Sequence, residues 1–119
     1  APGQERIQSA DTIQALKRVL EFIELHFQSE ISLKTLSDVA AMNPNYFCMY
    51  FKRLTGSTPI EYLTLYRIEH AAVLLLASDI SVVQAAMEAG FNDPSYFIRI
   101  FKRYKGVTPK KYQLGHQPA

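Results

Sequence analysis

"YFCMYFKRLTGSTP" runs from Tyr46 to Pro59, and "YFIRIFKRYKGVTP" from Tyr96 to Pro109. Aligned without a gap, eight of the fourteen positions are identical: Tyr, Phe, Phe, Lys, Arg, Gly, Thr and Pro. Chance does not give that match in a chain of 119 residues, so the phrase marks an internal duplication. The match extends upstream. Ile31-Ser32-Leu33 corresponds to Ile80-Ser81-Val82 at an offset of 49, and Pro44 onward to Pro94 onward at 50, one residue having entered the second turn.

Each copy reads as two short helices and the entry to a third. Ser32 and Ser81 are N-cap residues ahead of the first helix of each pair. Asn43-Pro44 and Asp93-Pro94 pair a cap with proline at the first helical position, where its missing N–H costs nothing. Gly56 and Gly106 stop these second helices, which span about 44–55 and 94–105. Thr58-Pro59 and Thr108-Pro109 repeat the cap signal. The first opens a long helix reaching about Ala77, with Ile60, Leu63, Ala71, Leu74 and Leu75 apolar; the second opens a final turn or two. At the other end, Ile13, Leu16, Leu20, Ile23 and Phe27 fall at i, i+3, i+7, i+10 and i+14, which predicts a helix of about sixteen residues from Asp11 or Thr12.

No stretch carries a strand pattern. A period near fifty does not suit 34-residue helical-pair solenoids, whereas two helices joined by a three- or four-residue turn suggest helix-turn-helix. The expected organisation is one all-α domain over residues 1–119. Within it, a first helix-turn-helix subdomain covers 12–58, a linker helix 59–77 and a second helix-turn-helix subdomain 78–113. The first ten and last six residues read as loose ends.

Composition narrows the function. The chain is 48% hydrophobic, ordinary for a globular domain, and its longest apolar stretch, Ala71 to Ala77, is far short of the roughly 18–20 residues of a membrane span. No membrane partner is expected, and the start lacks the regions of a signal peptide, so the expected location is cytoplasmic. The single Cys48 excludes an intramolecular disulfide and a cysteine-cluster zinc site; His26, His70 and His116 lie far apart. Neither a metal nor another cofactor is expected. Net charge is +2, unevenly spread. Residues 1–93 carry seven Lys/Arg and all eleven Asp/Glu, a net −4, while residues 94–119 carry six Lys/Arg and no acid, a net +6. The basic end is a candidate polyanion surface.

At about 100° per residue, Phe47, Tyr50, Phe51 and Leu54 form one face of the first repeated helix, and Phe97, Ile100, Phe101 and Tyr104 the same face of the second. Aromatic stripes at this spacing are core, not base-stacking platforms. The opposite faces carry Asn45, Met49 and Lys52, with Cys48 at the edge, and Ser95, Arg99 and Lys102, with Ile98 at the edge. Exposed Met49, Cys48 and Ile98 want an apolar partner, and thymine methyls in a major groove supply one. Arg99 suits bidentate hydrogen bonding to guanine O6 and N7. Lys52, Arg53, Lys102, Arg103, Lys105, Lys110 and Lys111 suit phosphates, as do backbone N–H groups at the helix starts marked by Asn43 and Asp93, although the Asp93 carboxylate repels a phosphate brought too close. A linker of nineteen residues spans about 28 Å, near the roughly 34 Å of one DNA turn. The duplication is then a device for reading a site twice, and unlike tandem copies favour an asymmetric site.

These motifs resemble the C-terminal DNA-binding domain of the AraC/XylS family of bacterial transcription regulators. The carrying stretches are "SLKTLSDVAAMNPNYFCMYFKRLTGSTPIEYL", "RIEHAAVLLL" and above all "ISVVQAAMEAGFNDPSYFIRIFKRYKGVTPKKY", so the resemblance covers about residues 12–113. It implies seven helices, two homeodomain-like helix-turn-helix units joined by a long helix, and sequence-specific binding to double-stranded promoter DNA. The family's base-reading positions fall on Asn45, Cys48 and Met49 and on Ser95, Ile98 and Arg99. RNA polymerase is an implied further partner, and an N-terminal effector or receiver domain is implied in the full-length protein. Two departures stand out. Cys48 and Met49 replace polar or charged residues, which argues against hydrogen-bonded readout by the first unit; Gln113 stands where an arginine commonly follows the last tyrosine, which removes one backbone contact.

Two other readings compete. Cys48 could act as a methyl acceptor, as reactive cysteines do in a repair regulator sharing this fold, but no His or Glu lies near it at a catalytic spacing. A helical protein-interaction module that has lost its DNA face is the other; it predicts weak, salt-insensitive affinity for any duplex.

Overall fold

A computed structural model describes residues 10–115. Over that span the chain forms seven helices and no strand: α1 Ala10–His26, α2 Leu33–Val39, α3 Pro44–Thr55, α4 Pro59–Ala77, α5 Val82–Glu88, α6 Pro94–Lys105 and α7 Pro109–Gly115. The fold is all-α with two helix-turn-helix pairs, α2–α3 and α5–α6. It divides into two compact units between Leu63 and Thr64, inside α4.

The boundaries follow from local chemistry. Ser32 Oγ accepts from Thr35 N–H at 3.1 Å and Ser81 Oγ from Gln84 N–H at 3.0 Å, each satisfying one orphan donor of a seven-residue helix. At α3, Asn43 Oδ1 accepts from the N–H groups of Asn45 (2.9 Å) and Tyr46 (3.4 Å); at α6, Asp93 Oδ1 accepts from Ser95 N–H at 3.0 Å. Both helices end on a left-handed glycine, Gly56 (φ 87°) and Gly106 (φ 82°), whose N–H returns to the Lys52 or Lys102 carbonyl at 2.8 Å. At the start of α4 Thr58 and Glu61 form a reciprocal capping box: Glu61 N–H donates to Thr58 Oγ1 at 3.2 Å and Thr58 N–H to Glu61 Oε1 at 3.0 Å.

The turn inside each pair is the same device made with different residues. Met42 N–H reaches the Ser37 carbonyl at 3.0 Å and Ala41 N–H the Asp38 carbonyl at 3.0 Å; in the second copy Phe91 N–H reaches Ala86 at 2.9 Å and Gly90 N–H reaches Met87 at 3.1 Å. These are the paired bonds of a Schellman cap, which needs a left-handed residue at its centre. Gly90 adopts it at φ 99° without a side-chain penalty, whereas Ala41 holds φ 57°.

In the first unit α1 packs on α2 and α2 on α3. Its buried side chains include Ala15, Val19, Ile23, Leu36, Phe47, Tyr50, Phe51 and Leu63, and Phe51 meets Tyr62 edge-on at 5.7 Å. The buried stripe of α1 is therefore Thr12-Ala15-Val19-Ile23-Phe27, one step round from the expected line: Ile13 is 46% exposed and Leu16 and Leu20 only half-buried. Small Ala15 and Val19 let the neighbouring helix approach on their side of α1. In the second unit α5 packs on α6 and α6 on α7. There Ile68, Ala71, Ala72 and Leu75 of α4 join Ala85, Ala86, Ala89, Phe91, Phe97 and Phe101 in one cluster. Each fully buried phenylalanine contributes roughly 1.5–3 kcal/mol, which accounts for the two Phe positions shared by the repeats. Both expected aromatic faces run one turn too long, since Leu54 and Tyr104 are exposed where the helices pass beyond the core.

Candidate nucleic-acid interface

With Phe47, Tyr50 and Phe51 turned into the core, α3 presents Asn45, Met49, Lys52 and Arg53 to solvent. Met49 is 53% exposed and Cys48 is half-buried at the edge, its thiol free. Leu25, Val73, Val83, Met87 and Leu114 are about as exposed or more so, so what sets Met49 apart is its place between Asn45 and Lys52 on the outward face of α3, not its exposure. On α6, Phe97 and Phe101 face inward, and Ser95, Ile98, Arg99, Lys102 and Arg103 face outward. Lys110 and Lys111 are exposed on α7. Each helix thus has a buried aromatic side and a hydrated side bearing the expected base-reading residues.

The helix starts are less available than their sequence suggested. Pro44 has no N–H, and the next two donors of α3 are already taken by Asn43 Oδ1, so Asn43 closes the helix end that was expected to offer donors to a phosphate. Lys105 also differs from its neighbours. Its Nζ lies 2.6 Å from Glu69 Oε1 and its side chain is largely covered, so this lysine fastens α6 to α4 within the second unit. The remaining Lys52, Arg53, Lys102, Arg103, Lys110 and Lys111 are exposed.

Among the described residues, Tyr50 and Arg67 depart from their usual values. Burial pushes the Tyr50 phenol up, against a smaller opposing effect of Arg18, and its hydroxyl is buried without a hydrogen-bond partner. Burial lowers the guanidinium of half-buried Arg67 on α4. Among the described residues no three His, Cys, Asp or Glu side chains gather as a metal site, and no helix is long and apolar enough to cross a membrane.

Residues 36–114, more than half of the chain, match a family model described as a helix-turn-helix domain, and that model is of the AraC/XylS type. The chain belongs to that AraC/XylS family. Among solved structures, it is similar to the DNA-binding domain of the global transcriptional factor AdpA in complex with a target DNA, at 31% identity and a TM-score of 0.80 over 86% of this chain and 91% of that one. The C-terminal domain of the two-component response regulator yesN from Fusobacterium nucleatum aligns at 32% identity and a TM-score of 0.79, covering 84% of this chain and 98% of that one. The HTH-type transcriptional activator Btr of Bacillus subtilis (strain 168) is 34% identical over 83 residues, 70% of this chain and 16% of Btr. The chain spans 14% to 28% of the length of such curated relatives. This AraC/XylS chain is a DNA-binding domain of a transcription regulator.

Two features of the AraC/XylS domain lay beyond the sequence reading. Gln113 is buried, and its Nε2 donates to the Ile80 carbonyl at 2.9 Å. The position expected to lack a contact with the nucleic-acid backbone therefore holds α7 to the loop before α5. The second is a ring–cation contact: Arg99 Cζ lies 5.7 Å from the centroid of the exposed Tyr96 ring. A Tyr–Arg pair at i, i+3 on one helix face was the available signal.

Proposed function

We propose that the domain reads promoter DNA with two recognition helices, α3 and α6, entering adjacent major grooves, and that the second unit supplies the larger share of affinity. The observation that carries this reading is the outward face of α6, where Ser95, Ile98 and Arg99 stand clear of the core with Lys102 and Arg103 exposed on the same helix and Lys110 and Lys111 exposed on α7. Arg99 reads a guanine; Met49, Cys48 and Ile98 meet thymine methyls; Asn45 and Ser95 complete the base contacts. Lys52, Arg53, Lys102, Arg103, Lys110 and Lys111 hold phosphates and fix register, with Asn43 and Lys105 at the edges of the two surfaces. The relatives named as transcriptional regulators support a non-enzymatic, cytoplasmic role. The greater length of such relatives, and the response regulator whose C-terminal domain this one resembles, support a parent protein in which an effector or receiver domain governs this one; RNA polymerase is our proposed recipient of its output.

The test is selection of bound duplexes from a random library, then titration of the best site and a scrambled one at two salt concentrations. The expected motif is asymmetric, with two blocks about one turn apart. Six phosphate contacts give a log K against log salt slope of about −5. Weak binding without sequence preference or salt dependence would sink the proposal and leave a protein-interaction module.

A further inference from the structure

Arg99 does not hang free on α6. Its guanidinium lies over Tyr96 at 5.7 Å, inside the roughly 6 Å reach of a cation–π contact. The Tyr96 ring is itself 6.3 Å from Phe91, and Phe91 is buried 5.0 Å from Phe97. The outward cation is therefore the last member of a stack rooted in the core of the second unit. The first copy has no equivalent. Met42 replaces Phe91, Met49 replaces Arg99, and Tyr46 leans on Tyr50 at 6.1 Å.

We infer that Tyr96 is a positioning residue that sets how sharply Arg99 discriminates its base, by holding the guanidinium in one arrangement before DNA arrives. This rests on the base-reading role proposed above for Arg99. A bidentate contact requires the planar fork to lie along one base edge, and a side chain with several free rotamers must surrender them on binding. A released Arg99 also reaches phosphates, which every sequence offers. Loss of the Tyr96 ring thus costs affinity for the correct pair and spares affinity for the wrong ones.

The test measures Kd on the selected duplex with each of the four base pairs at the Arg99 position, for wild type, Tyr96→Leu, Tyr96→Phe, Arg99→Ala and the double variant Tyr96→Leu/Arg99→Ala. Tyr96→Leu is expected to cut the G·C preference about two- to five-fold, the scale of an exposed cation–π contact. Tyr96→Phe keeps the ring and the preference. In the Arg99→Ala background Tyr96→Leu is expected to change nothing further. An unchanged preference in Tyr96→Leu, equal weakening on all four pairs, or the same loss without Arg99 each overturns the positioning role. Should Leu perturb the fold, as a lowered melting temperature would reveal, Tyr96→Gln repeats the test on a polar, helix-compatible side chain. If Arg99→Ala itself retains the G·C preference, both the base-reading role and the positioning role fall; if Arg99→Ala relaxes it and Tyr96→Leu does not, only the positioning role does.

Discussion

The two helix-turn-helix copies solve one folding problem and diverge wherever folding leaves a choice. Both spend Phe at the same two core positions and close their longer helix with a left-handed glycine. At the unshared positions from Met49 onward the first copy has neutral or acidic residues where the second has basic ones, Met49 and Thr55 facing Arg99 and Lys105 in the alignment, whereas upstream Lys34 faces Val83, and Val39 and Asn43 face Glu88 and Asp93. Ile60-Glu61 after the first Thr-Pro becomes Lys110-Lys111 after the second. The first pair completes a capping box; the second keeps only the Lys111 N–H donation to Thr108 Oγ1, at 3.3 Å. The duplication thus shows which residues a helix-turn-helix pair requires and which are open to selection for contact with a ligand.

The largest effect that can break this contrast lies on the outward faces. Arg99→Ala is expected to lower specific affinity by about 1–3 kcal/mol and to relax one G·C position, while Met49→Ala costs less and acts at an A·T step. Binding measured across single-base variants decides it: uniform weakening by Arg99→Ala would falsify the base-reading assignment, and a site with no preference under α3 would end the case for Met49. Next in size is the turn. Gly90→Ala is expected to destabilise the second unit by about 1–2 kcal/mol, because its left-handed backbone crowds a Cβ. Ala41→Gly reverses that strain in the first unit and adds about 0.5–1 kcal/mol. Urea melts of both variants should move in opposite directions; a shared direction would show that the turns are not equivalent.

Lys111→Glu separates folding from binding within one residue. It restores the capping box and the favourable charge at the start of α7, adding about 0.5–1 kcal/mol to stability, yet weakens DNA binding and lowers the salt slope by about 1. A variant that binds more tightly would contradict the phosphate role. The smallest expected effect is at Tyr50, whose counterpart is Ile100. Tyr50→Phe removes a buried hydroxyl that has no partner and should raise stability by about 0.5–1 kcal/mol. Because burial holds the folded phenol above its ordinary pKa of about 10, the unfolded chain releases this proton first and wild-type stability falls as pH rises above that value. Thermal melts at pH 8 and pH 10.5 should show a smaller alkaline loss in Tyr50→Phe; an equal loss rejects the assignment.

Much of this architecture was legible because helix ends are written locally. Ser32, Ser81, Asn43-Pro44, Asp93-Pro94, Gly56 and Gly106 mark boundaries through bonds spanning two to four residues. What could not be read depends on distant partners. Lys105 looks like any surface lysine until Glu69, 36 residues away, is found beside it, and Gln113 looks like a lost contact until Ile80 supplies a carbonyl across 33 residues. The phase of α1 was misjudged because periodicity gives a stripe without saying which small residues admit a neighbour. Ala41 is an intermediate case. Alanine carries no turn signal of its own, but its alignment with Gly90 gives away the left-handed conformation.

The caps at both ends of α3 and α6 have a consequence for addressing. Proline and glycine trim each helix to twelve residues, about 18 Å at 1.5 Å per residue. That length runs beside about five base pairs at 3.4 Å each. Two such windows specify at most about ten pairs, or roughly a million combinations, the lower end of the count of competing sites in a genome. Under the proposed contacts of Met49 and Cys48 with thymine methyls, which are narrower than a full base edge, that information falls further. On the proposed binding mode, two helices of this length leave one domain little information to spare for singling out one site among so many.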